Sequence, residues 1–90
     1  MIMMGGDTVR LYTLDGKCNI SGERIKSARA KAKLTQDQLA ARLQVAGLQM
    51  GQMAISRIES GKRLVSDFEL PIIAEALNVS TDWLLGIEKG

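Results

Sequence analysis

The chain has 90 residues, no histidine, one cysteine and a net charge of +2. That length suits one domain with a modest core, and the missing histidine and lone Cys18 exclude the usual zinc sets, Cys–His nucleophiles and an internal disulfide. Aromatics are only Tyr12, Phe68 and Trp83, so the core must be aliphatic; abundant Ala, Leu, Gln, Lys, Arg and Glu without strand-like runs predict an all-α fold.

Residues 1–20 carry no helical period. TVRLYTL alternates loosely, which suits a short strand or a flexible arm docked on the surface. GGD before it and DGK after it are turn material. The domain proper is expected over 21–90. Helix one is predicted from Ser21, as N-cap, to about Lys33, with Ile25, Ala28 and Ala32 facing inward and Leu34 packing in the turn. Helix two opens on Thr35 with Gln38 three residues later, the spacing of a capping box. Leu39, Ala40 and Leu43 form its buried stripe. It ends near Val45 or Ala46, with Gly47 as C-cap.

LQMG links to helix three, Gln52 to about Ser60, between Gly51 at the N-cap and Gly61 at the stop. Ile55, Ile58 and Ala54 fall on one side of it; Gln52, Met53, Ser56 and Arg57 fall on the other. A solvated face usually carries Glu and Lys, whereas this one carries hydrogen-bonding side chains and a guanidinium. Helix four is predicted to start at Ser66, with Glu69 completing a second capping box and Leu70, Ile73, Ala74 and Leu77 inward. Pro71 sits in its first turns, where a missing donor costs little. Asn78 ends it, and Ser80 caps a short fifth helix, TDWLL, stopped by Gly86. Helices two and three make a helix–turn–helix pair. There are no internal repeats and no low-complexity segment.

Charge is unevenly spread. Residues 17–63 hold ten bases against three acids, a local +7, whereas residues 64–90 have a net −4. A basic part beside an acidic part suggests a polyanion for the basic part; the plainer alternative is a solvated helix surface. No apolar run approaches ~18 residues, so no membrane-spanning helix is expected. MIMM lacks the features of a signal peptide, and a reduced, cytoplasmic location is expected.

LTQDQLAARL, AISRIESGKR and ELPIIAEALNVSTDWLLG, in that order and spacing, resemble the Xre/Cro (Cro/CI-like) family of phage and bacterial repressors, over about Gly22 to Gly86. The resemblance implies a compact five-helix bundle that binds operator DNA, usually as a dimer. The turn between Leu43 and Ile55 is longer than the common family form, as in a related subgroup, and Gly51 stands where Ser or Thr is frequent. In the family, helix three enters the major groove and its N-terminal half reads bases. By alignment, Gln52 and Arg57 are base readers, able to pair with adenine and guanine respectively. Met53 and Ser56 face the same way, and Met53 suits either a thymine methyl or packing on helix two.

The same resemblance puts Gln36 at a phosphate clamp beside the N-terminus of helix two and Lys62 and Arg63 at backbone contacts. The last two equally suit complementation of the helix C-terminus. Arg29 and Glu59 match a partly buried ion pair of the family, from which Arg29 extends toward a phosphate; the alternative is two solvated charges. Ala40 lies where helices two and three pack closely. Trp83 suits the core or a dimer face, and Cys18 a free thiol or a redox sensor.

These residues predict a sequence-specific DNA-binding transcriptional regulator, a repressor, acting as a homodimer on double-stranded DNA with no cofactor. The rival is a protein-interaction module, such as an antitoxin that binds a partner protein through its acidic part or first twenty residues. An enzyme is not expected, since no phosphate loop or ligand cluster is present.

Overall fold

The computed structural model describes residues 13–87. Of TVRLYTL only Thr13 and Leu14 fall within that range, so the strand-or-arm expectation lies mostly outside the described residues. The described chain is all-helical: α1 Gly22–Lys31, α2 Gln36–Val45, α3 Gln52–Glu59, α4 Glu69–Ala76 and α5 Thr81–Leu84. An isolated antiparallel bridge, Leu14 to Lys17, closes a turn over Asp15 and Gly16. No described helix is long and apolar enough to cross a membrane.

All five helices stop the same way. Each is followed by a residue at positive φ: Lys33, Gly47, Gly61, Asn78 and Gly86. In each case the N–H of that residue and the N–H of the one after it donate back to carbonyls of the last turn, as Gly47 to Gln44 (3.0 Å) and Leu48 to Leu43 (2.8 Å) do after α2. This closure satisfies carbonyls that a helix end would leave orphaned. Glycine or asparagine supplies the left-handed residue four times. After α1, Lys33 holds φ 60° with a Cβ present, which costs energy.

The starts are less uniform. Thr35 and Gln38 form the full reciprocal capping box at α2, and the Ser80 hydroxyl accepts from the Trp83 N–H at α5. At α1 the Ser21 side chain makes no cap bond. The Asn19 carboxamide oxygen instead accepts from the Gly22 N–H at 2.7 Å. At α4 the helix begins at Glu69 rather than Ser66, because residues 66–68 form a turn leading into it. Half of the expected box survives: Glu69 accepts from the Ser66 N–H.

Ile25, Leu39, Leu43, Ile55, Ile58, Ile73 and Leu84 fill the centre, each at most 2 % exposed. Leu77 and Ala74 are buried with them, and Ala40, Leu70 and Trp83 pack at the margin. Two corrections follow. Ala32 is exposed, because α1 ends before it. Leu48 and Met50, read as linker, are core residues. The long α2–α3 turn is therefore anchored by two buried side chains. Each contributes about 1.5–3 kcal/mol of burial, enough to hold that turn against the core.

Candidate nucleic-acid interface

The face of α3 opposite Ile55 and Ile58 is open. Gln52 and Arg57 are exposed, Met53 is 67 % exposed, and Ser56 is half-buried. Met53 stands apart from the residues packed against the core. Met53, Ala54, Arg57, Lys62 and Arg63 line one shallow depression of about 290 Å³. The outward side of α3 and the start of the following loop thus form a continuous surface. Among the described residues, neither Arg57 nor Lys62 takes part in a side-chain ion pair.

The N-terminal end of that face is tied to the interior by a run of polar contacts. Gln52 Nε2 donates to Gln36 Oε1 at 2.6 Å, and Gln36 Nε2 donates to Glu59 Oε1 at 3.0 Å. Glu59 accepts two bonds from Arg29, Nε to Oε2 at 2.6 Å and Nη2 to Oε1 at 3.0 Å. Arg29 Nη1 donates to the Leu34 carbonyl at 2.7 Å. Three helices and the α1–α2 turn are joined in one path. A carboxylate only accepts, so Gln36 must turn its NH2 to Glu59 and its oxygen to Gln52; both amide orientations are thereby determined.

The inner end of this path is buried, and its outer end, the Gln52–Gln36 bond, is exposed. The side chains of Arg29 and Glu59 are 15 % and 4 % exposed. The hydrogen bonds to Glu59 hold the Arg29 guanidinium above its ordinary range despite partial desolvation. Removing either partner would strand the other charge. Three of Arg29's five N–H donors are used inside the protein, so its first task is to place α3.

Arg63 is also engaged internally. It donates to Glu69 at 3.0 and 3.1 Å and to the Leu64 carbonyl at 2.8 Å. Arg63, with help from the Ser66 N–H, holds the Glu69 carboxyl below the usual carboxylate range. Of the four phosphate candidates, Lys62 points outward, Gln36 stands at the first turn of α2, and Arg29 and Arg63 are taken by internal carboxylates. Asn19 was given no role by sequence reasoning. A cap-forming residue type two positions before a Ser–Gly helix start was the available signal.

The helix-turn-helix family model matches residues 25–84. A solved structure of similar fold is the P22 c2 repressor protein in complex with synthetic operator 9T, determined in the presence of Tl+. It is 30 % identical, with a TM-score of 0.64 over 78 % of this chain and 98 % of that chain. No curated protein matches. The matched span runs from Ile25 in α1 to Leu84 at the end of α5 and includes the whole polar path around α3, so the chain belongs to the Xre/Cro-like helix-turn-helix family.

Proposed function

We propose that this chain is a sequence-specific DNA-binding transcriptional regulator, a repressor, that lays α3 in the major groove and acts as a homodimer. The observation that carries the reading is the exposed hydrogen-bonding face of α3, whose first residue is braced through Gln36 to a buried ion pair. Base reading needs side chains that are exposed yet held in one orientation. Gln52 meets both conditions. One amide hydrogen goes to Gln36, leaving its oxygen and second hydrogen for adenine N6 and N7. Arg57 offers its fork to guanine O6 and N7, Met53 an exposed thioether to a thymine methyl, and Ser56 a hydroxyl.

Lys62 and the N-terminal amides of α2 beside Gln36 serve the phosphates. The similar P22 c2 repressor binds its operator with this fold, which supports the same use here. One such face spans only a few base pairs. Two copies spaced one helical turn apart, ~34 Å, supply the rest of the affinity.

Selection from a random duplex library tests this. A palindromic winner preferred ~10³-fold or more over a scrambled duplex is the expected result. Weak binding with no consensus and a steep salt dependence would mean only phosphate attraction operates.

A further inference from the structure

The C-terminal end of α3 is held by a second set of bonds, from the chain that precedes α1. Asn19 Nδ2 donates to the Ile58 carbonyl at 3.0 Å and to the Arg63 carbonyl at 2.8 Å. Its oxygen accepts from the Gly22 N–H. One carboxamide therefore spans the last turn of α3, the loop after it and the start of α1. Beside it the Cys18 N–H donates to the Gly61 carbonyl at 2.7 Å. The approach is close: a Cβ on Gly22 would collide with the Ile58 carbonyl oxygen.

Only asparagine fits all three partners. Two carbonyls demand a double donor and one N–H demands an acceptor. Aspartate would set an oxygen against two carbonyl oxygens, and glutamine is a methylene too long for the same anchor point. Lys62 lies between the two carbonyls that Asn19 holds, in the segment Ile58 to Arg63. Asn19 also lies outside the span that the family model matches.

We infer that Asn19 is a positioning residue for DNA docking, holding Lys62 and the C-terminal end of α3 at the height where the phosphate backbone passes. The inference rests on the DNA-binding reading of the same face. It makes residues 17–21 part of the binding module rather than a leader to it.

The test uses the full chain and the selected duplex. Asn19→Ala, first checked for helix content by circular dichroism, should bind at least ~10-fold more weakly, with the salt slope reduced by about one contact's worth. Asn19→Ala in a Lys62→Ala background should add little further loss, because both remove the same contact. Asn19→Ser, which keeps an acceptor but cannot bridge both carbonyls, should behave as Asn19→Ala does. Wild-type affinity and slope in a folded Asn19→Ala, or full additivity with Lys62→Ala, overturns the inference. So does failure of both variants to fold at low temperature, since Asn19 would then serve folding alone. A wild-type chain that selects no duplex instead defeats the underlying DNA reading, which is a separate result.

Discussion

The first three helices and the last two are held by different forces. α1, α2 and α3 share a hydrogen-bonded path, Leu34–Arg29–Glu59–Gln36–Gln52, in addition to apolar contacts. α4 and α5 are held mainly by Ile73, Ala74, Leu77 and Leu84 in the core. Polar contacts there are separate rather than joined in one path: Arg63 pairs with Glu69 at the start of α4, Arg42 donates to the Ala76 carbonyl at 3.2 Å, and Arg24 lies over the Trp83 ring at 5.4 Å and donates to its carbonyl. Apolar packing is non-directional and tolerates small rotations. Hydrogen bonds fix angle as well as distance. α3, the helix proposed to present side chains to base edges, is held by directional bonds.

The largest expected effect breaks the polar region. Glu59→Ala should destabilise by about 3–5 kcal/mol, read by urea unfolding, since it leaves the Arg29 charge uncompensated. Arg29→Met with Glu59→Leu sharpens the contrast. Stability should recover most of that loss, while discrimination at the Gln52 position should not, because Gln36 has lost its anchor. Recovery of both would show that packing alone aims α3.

Leu84→Ala comes next, at about 2–5 kcal/mol for a fully buried leucine. Its folded fraction should keep the wild-type base preference, measured by competition at a temperature where it is native. Altered preference would mean that the apolar half also directs the reading helix.

Arg57→Ala should leave unfolding unchanged and cost about 1–3 kcal/mol of binding, relaxing preference at one base position. Equal binding by wild type and variant would remove Arg57 from the reading face. Lys33→Gly should stabilise by about 1 kcal/mol, since only the left-handed residue after α1 carries a side chain poorly suited to it. A rise in Tm of roughly 4–8 °C would register that change.

The smallest effect concerns pH. Arg63 lowers the Glu69 pKa on folding from its ordinary 4.5. The stabilisation is therefore complete above about pH 4.5 and fades as pH falls through the lower folded value. Glu69→Gln should flatten the acid limb of a stability–pH curve, and an unchanged limb would assign it to other carboxylates.

Much of this could be read locally. Thr35 with Gln38, Gly47, Gly61, Ser80 and Gly86 mark helix ends, and the structure has ends there. Apart from the end of α1, where Lys33 takes the left-handed conformation and leaves Ala32 exposed, the expectations that failed are those in which a further partner intervened. Ser21 precedes α1, but the cap atom comes from Asn19, whose amide is also drawn to Ile58 and Arg63 across the fold. Ser66 has the right spacing to Glu69, yet that carboxylate also serves Arg63, and the helix starts later. Leu48 and Met50 show no period in a turn, and only the shape of the core brings them inside.

The sequence by itself determined that five short helices form, where all but α1 stop, and that one of them has an outward face of Gln52, Met53, Ser56 and Arg57. These follow from rotations of a few residues about local bonds, which propensity and periodicity record. The pairing of Arg29 with Glu59 was expected from the family resemblance, whereas the capture of Arg63 by Glu69, with Arg57 and Lys62 left outside, was decided by tertiary structure. Arg29, Arg57, Lys62 and Arg63 have similar chemistry, but the packing of α1 on α3 brings Glu59 to Arg29 and the fold of the loop before α4 brings Glu69 to Arg63, each within 3.1 Å. Charge pairing depends on distance in space and on burial, and neither is written in the spacing of residues along the chain.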